Sequence, residues 1–145
     1  MMGFGAAVTT CMRKFVTFSG RAPRAEYWWF FLFTSIISVV FEFINANLAA
    51  VVNLVFVLPT LAVSWRRLHD LGKSGMWNLA PLLGVIPLGI GIAAGVSFFL
   101  YAGGAIAIVL GLYVFYLTIQ SGEIGANEFG EDPYGGPSYD ASVFD

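Results

Sequence analysis

The chain has 145 residues, short enough for one domain, and its 58% hydrophobic and 11% charged residues exclude a soluble globule, which carries roughly 25% charged residues. The net charge is −2, and one cysteine and one histidine exclude a disulfide framework, a thiolate cluster and a structural zinc site. The apolar surplus must face lipid.

In chain order, residues 4–18 place Phe4, Val8, Cys11, Met12 and Phe15 at helical spacing, opposite Thr9, Arg13 and Thr17. That pattern predicts a short amphipathic helix at the membrane interface, after which "SGRAPR" turns the chain into its first span. Arg13 and Lys14 follow an apolar start, whereas a secretory signal places its basic residues first, so the first span is expected to be retained.

Tyr27 to Trp65 is 39 residues with one charge, Glu42, and Met76 to Ile119 is 44 residues with none. At about 20 residues per spanning helix, each run holds two passages. The expected architecture is an all-α integral membrane protein of four transmembrane helices in two hairpins, with the amphipathic helix before them. The helices are expected near Tyr27–Asn47, Ala49–Trp65, Met76–Ser97 and Tyr101–Ile119, with "NANL" as the first turn and "SFFLYAGG" as the second. Runs such as "FFLFTSIISVVF" do not alternate as barrel strands do. The chain thus divides into an N-terminal segment 1–26, a transmembrane domain 27–120 and an acidic tail 121–145.

Orientation follows from the basic residues. Arg13, Lys14, Arg21 and Arg24 precede the first span, and Arg66, Arg67 and Lys73 lie between the second and third, which accounts for all seven. Basic loops stay cytoplasmic, so both termini are expected inside. Trp28, Trp29, Trp65 and Trp77 fall at the same expected helix ends, as an aromatic belt does. The tail's six acidic residues, Asp140 and Asp145 among them, contribute little to orientation.

Three polar stretches stand apart from the apolar runs: "FSGRAPRAEYWWF" at 18–30, "RRLHDLGKSGMW" at 66–77 and "GEIGANEFGEDP" at 122–133. Together, in this order and spacing, they resemble the signature blocks of the bacterial inner-membrane family called domain of unknown function 805, the YhaH-like proteins. The resemblance implies a four-helix protein of the bacterial inner membrane and no established reaction. Pro23 and Met76 depart from the pattern, standing where the family often has a small hydroxyl residue and a second aromatic.

The topology gathers Arg21, Arg24, Glu26, Arg66, Arg67, His69, Asp70 and Lys73 at one membrane face, with Asn127 and Asp132 able to fold over them. Two readings stand: a network of charged groups and anionic headgroups that clamps three segments, or a pocket for a lipid headgroup or small anion, since clustered arginines suit phosphate. Arg66 and Asp70, four apart, can meet, while His69 and Asp70 point about 100° apart, a poor catalytic pair. Gly72 is placed to end the helix and Ser74 to cap the next.

Glu42 lies ~22 Å along its helix from Tyr27, near the far interface and away from the midplane where a coupling carboxylate belongs. Gly91 and Gly95 form a GxxxG pair, and Gly103, Ala107 and Gly111 repeat a small residue every fourth position, so both stripes suit close helix packing. Pro81 and Pro87 should kink the third span. "GEIGANEFG" lacks the lysine, serine and strand-loop-helix setting of a phosphate loop.

The sequence therefore points to a non-enzymatic scaffold or accessory protein that packs against a larger inner-membrane complex or copies of itself. The alternative is a binder or carrier of a lipid headgroup or small solute using the arginine cluster. No cofactor and no metal are expected. Membrane lipids are the expected surroundings, and nucleic acid is not an expected partner, because the tail is acidic and the basic residues hug the membrane.

Overall fold

The structure, a computed structural model, describes residues 2–135; Asp140 and Asp145 lie outside them. The described residues form helices α1 (Phe4–Arg13), α2 (Arg24–Ile44), α3 (Ala46–His69), α4 (Val85–Ala94) and α5 (Ser97–Ile119), with a 3₁₀ stretch at Gly75–Gly84 before α4 and no strand. Arg24–Ile44, Ala46–His69, Gly75–Ala94 and Ser97–Ile119 are each long and apolar enough to cross a membrane. The chain is an all-α membrane protein of four candidate spans. It divides into two compact units, residues 2–75 with 121–135, and residues 76–120.

In the first unit α2 and α3 form a hairpin through one residue. Asn45 is extended, with φ −167°, which stops α2, and its Oδ1 accepts from the amides of Asn47 (2.9 Å) and Leu48 (3.2 Å), which starts α3. Pro23 precedes α2 without a side-chain cap; its carbonyl receives the amides of Glu26 and Tyr27. α1 runs antiparallel to the start of α2: the Phe4 ring meets Trp29 and Phe33, and Cys11 meets Glu26. Cys11, Ala22, Tyr27, Phe30 and Val63 make the core, with Trp28, Phe33 and Phe56 packed on it. Pro59 sits inside α3, so the Val55 carbonyl lacks its in-helix donor.

In the second unit α4 and α5 pack as the other hairpin. The expected continuous third helix is half 3₁₀, and Pro81 lies inside that stretch, where an α-helix would press its ring against the carbonyl four residues back. The expected turn at "SFFLYAGG" lies inside α5. The chain reverses at Gly95, whose φ of +66° ends α4, and Val96. With so short a connection between apolar helices, no polar cluster marks it.

The small-residue stripes divide accordingly. A Cβ on Gly91 would strike the Leu100 backbone, and one on Gly103 would strike the Leu88 amide and the Gly84 carbonyl. Gly84, in turn, lies against Ala107. Gly95 is a turn residue and Gly111 faces open space, so neither belongs to this contact.

Gly103→Ala should therefore destabilise the α4–α5 hairpin by about 1–3 kcal/mol through overpacking. Gly111→Ala, with room for its methyl, should be neutral or slightly stabilising. Thermal unfolding in detergent, compared for the two variants, checks this.

Candidate functional site

Parts of all three polar segments, up to Gly75 in the second, converge within the first unit. α3 ends in a left-handed glycine stop: Gly72, φ +62°, donates its amide to the His69 carbonyl (3.0 Å) while the Lys73 amide reaches Leu68 (3.0 Å). This leaves Arg66, Arg67, His69 and Asp70 on the last turn, all buried.

Asp70 is the hub. Its Oδ1 accepts from Nε and Nη2 of Arg21, both at 2.9 Å, and its Oδ2 accepts from Nη1 of Arg67. Asp70 and Arg67 are fully buried, and Arg21 is 8% exposed. The expected contact between Arg66 and Asp70 does not form. Arg66 donates Nη1 to Oε1 of Glu26 at 2.5 Å, because its side chain leaves α3 toward α2 while Arg67 lies toward Asp70. Its Nε and Nη2 are buried without a hydrogen-bond partner. The Ala22 amide donates to the Arg66 carbonyl (2.9 Å), fixing the segment before α2 on the end of α3.

The tail closes over this cluster by its backbone. The Glu123 amide donates to the Asp70 carbonyl (2.8 Å). Arg21 gives Nη2 to the carbonyl of Glu123 and Nη1 to that of Gly125, both at 2.5 Å. The glycine-rich tail thus turns carbonyls toward a guanidinium, the reverse of an anion-binding nest, whose amides point inward. Close packing explains two glycines: a Cβ on Gly122 would strike the Asp70 carboxylate, and one on Gly72 the Glu123 carboxylate.

Asn127 joins the layers, its Nδ2 donating to the His69 carbonyl and to Oε2 of Glu123, both at 2.9 Å. The His69 ring stacks on Phe129 at 4.0 Å, and its Nδ1 lies 3.1 Å from the Gly20 carbonyl. A carbonyl only accepts, so Nδ1 carries the proton. Asp132 accepts from the amides of Gly125 (3.0 Å) and Tyr134 (2.9 Å); these two bonds, with Arg21 nearby, hold its carboxyl below the usual aspartate range. Arg24 reaches Ser121, and Lys73 is half-buried.

Sequence reasoning singled out neither Glu123, Phe129 nor Cys11 as part of this site. Cys11, fully buried, places Sγ 3.7 Å from Oε1 of Glu26, and burial together with that carboxylate pushes the thiol up to about 12, so it stays protonated at neutral pH. Among the described residues no group of three or more His, Cys, Asp and Glu side chains converges as a metal site. What the arrangement does chemically is neutralise buried charge and hold three segments together.

Comparison with known proteins places these segments in a recognised pattern. Residues 15–131 match the family described as protein of unknown function DUF805. The chain is 32% identical over 132 residues to the inner membrane protein YhaI of Escherichia coli K12, covering 84% of this chain and 90% of that protein. It is 31% identical to the inner membrane protein YhaH of the same strain, covering 84% and 91%, and 28% identical to YiiR, described as uncharacterised, covering 85% and 90%. No solved structure matches.

Asp70→Asn removes the counter-charge of two buried arginines and should cost about 3–5 kcal/mol. The melting temperature in detergent should fall, and limited proteolysis should cut between residues 121 and 135 in the variant under conditions that spare the parent.

Proposed function

The chain belongs to the DUF805 family of multi-pass inner-membrane proteins, and from the mutual neutralisation of its signature charges we propose that it is a structural membrane component whose polar motifs clamp its own segments. The carrying observation is the burial of Arg66, Arg67, Glu26 and Asp70, at most 3% exposed, in ion pairs with one another. Arginines so enclosed favour a clamp over a headgroup pocket at those two positions. The outward surface is apolar: Phe43, Leu54 and Val55 on the first hairpin and Ile92, Ile108 and Val109 on the second are more than 60% exposed. The protein acts by packing those faces against a larger membrane assembly or against copies of itself, within membrane lipid.

We assign the clamp and both termini to the cytoplasmic side. Arg21, Arg24, Arg66, Arg67 and Lys73 all lie at the end of the α2–α3 hairpin opposite the Asn45 turn, and basic residues are retained inside. In intact cells with a permeable outer membrane, a membrane-impermeant maleimide should label Asn47→Cys, and Lys73→Cys only after the inner membrane is opened. The reverse pattern would invert the topology.

Native mass spectrometry of the protein gently extracted from its own membrane tests the packing role. Stoichiometric association with a larger complex or with itself is the expected result. A monomer released without any protein companion would refute it.

A further inference from the structure

Beside the clamp, the first unit carries a second feature that it does not use. A cleft of about 440 Å³ opens between α1 and the entrance to α2, its polar lining Thr10, Arg13, Lys14, Arg21 and Glu26, with Met2, Pro23 and, from the tail, Pro133 completing it. That volume is many times the ~30 Å³ share of one water molecule. Two of its charged groups are already matched: Glu26 by Arg66, and Arg21 by Asp70. The other two are not. Arg13 and Lys14 are exposed, and among the described residues their side chains make no hydrogen bond or ion pair. The cleft therefore presents two uncompensated cations and the hydroxyl of Thr10.

Its surroundings fix the kind of anion. Arg13 and Lys14 are bracketed in sequence by Met12 on one side and Phe15 and Val16 on the other, which are 43%, 47% and 56% exposed, and Phe4 at the far end of α1 is 44% exposed. Outward apolar side chains on both sides of a cation pair belong at the boundary between acyl chains and headgroups. There a guanidinium and an ammonium are suited to phosphate oxygens.

We propose that this cleft binds the phosphate of an anionic phospholipid headgroup, with Arg13 and Lys14 as its ligands and the exposed apolar side chains on and just after α1 against the acyl chains. The site is distinct from Arg66 and Arg67, which are closed off in the clamp, and it holds whether or not the protein has a protein partner. Phosphate chemistry alone admits a free phosphate anion as well as a lipid; the flanking apolar residues favour the lipid.

The test uses the full chain in an uncharged detergent, titrated separately with phosphatidylglycerol, phosphatidylcholine and inorganic phosphate and read by native mass spectrometry. Because Arg13 and Lys14 are exposed and hold nothing else in place, Arg13→Gln with Lys14→Gln should fold as the parent does, which its melting temperature verifies. The parent should retain phosphatidylglycerol in preference to phosphatidylcholine, and the double variant should bind it about 10- to 30-fold more weakly. Lys73→Gln, which removes a cation outside the cleft, should stay within about twofold of the parent, separating a site from general attraction. Equal retention of the two lipids, or a double variant that binds as the parent does, would overturn the proposal. Inorganic phosphate binding as tightly as the lipid and displacing it would overturn the lipid assignment in favour of a soluble phosphate.

Discussion

Asp70 is fully buried, and the first unit is arranged around that constraint. A carboxylate fully buried at the end of a helix is tolerable only with its charge matched and its oxygens bonded, and here one oxygen is held by Arg21 and the other by Arg67. Because Arg21 comes from the segment before α2 and Arg67 from α3, neutralising Asp70 also ties two parts of the chain that are far apart in sequence. Gly122 lies against the same carboxylate at a distance that leaves no room for a side chain.

Five ionised side chains are enclosed here: Arg21, Arg66 and Arg67 against Glu26 and Asp70, three positive and two negative, which leaves one positive charge in excess. Carbonyl dipoles offset it. Arg21 collects those of Glu123 and Gly125 and has the Asp132 carboxylate nearby, and this is why the tail has to return to the cluster. The tail's acidic side chains also hold the tail itself, Glu123 bonding Asn127 and Asp132 bonding the turn at Gly125 and Tyr134. The Glu26–Arg66 pair is a separate pin, joining α2 to α3 one helical turn before Asp70 and receiving the Cys11 thiol from α1.

The second unit obeys a different rule. With no charged side chain available, α4 and α5 associate by backbone approach at Gly84, Gly91 and Gly103, where the absence of side chains permits the contact that lipid does not drive. Electrostatic matching of buried charges at the end of one hairpin, and steric fit in the other, are the two means by which a small, mostly apolar chain fixes its helices.

The number of spans, their pairing into hairpins and the amphipathic first helix were legible in the sequence, because hydropathy, periodicity and charge placement are local properties of the chain. The Asn45 turn was legible for the same reason, being polar. The Gly95 turn was not, since it carries no polar mark and only its φ distinguishes it from the glycines of the helices on either side. Which arginine answers which carboxylate was decided only in three dimensions: Arg66 and Arg67 are neighbours of the same type, and their different partners, Glu26 forty positions away and Asp70 three away, follow from the directions in which they leave the last turn of α3. The carbonyl cradle around Arg21 was likewise beyond sequence, because every residue has a carbonyl and only the fold decides which of them converge.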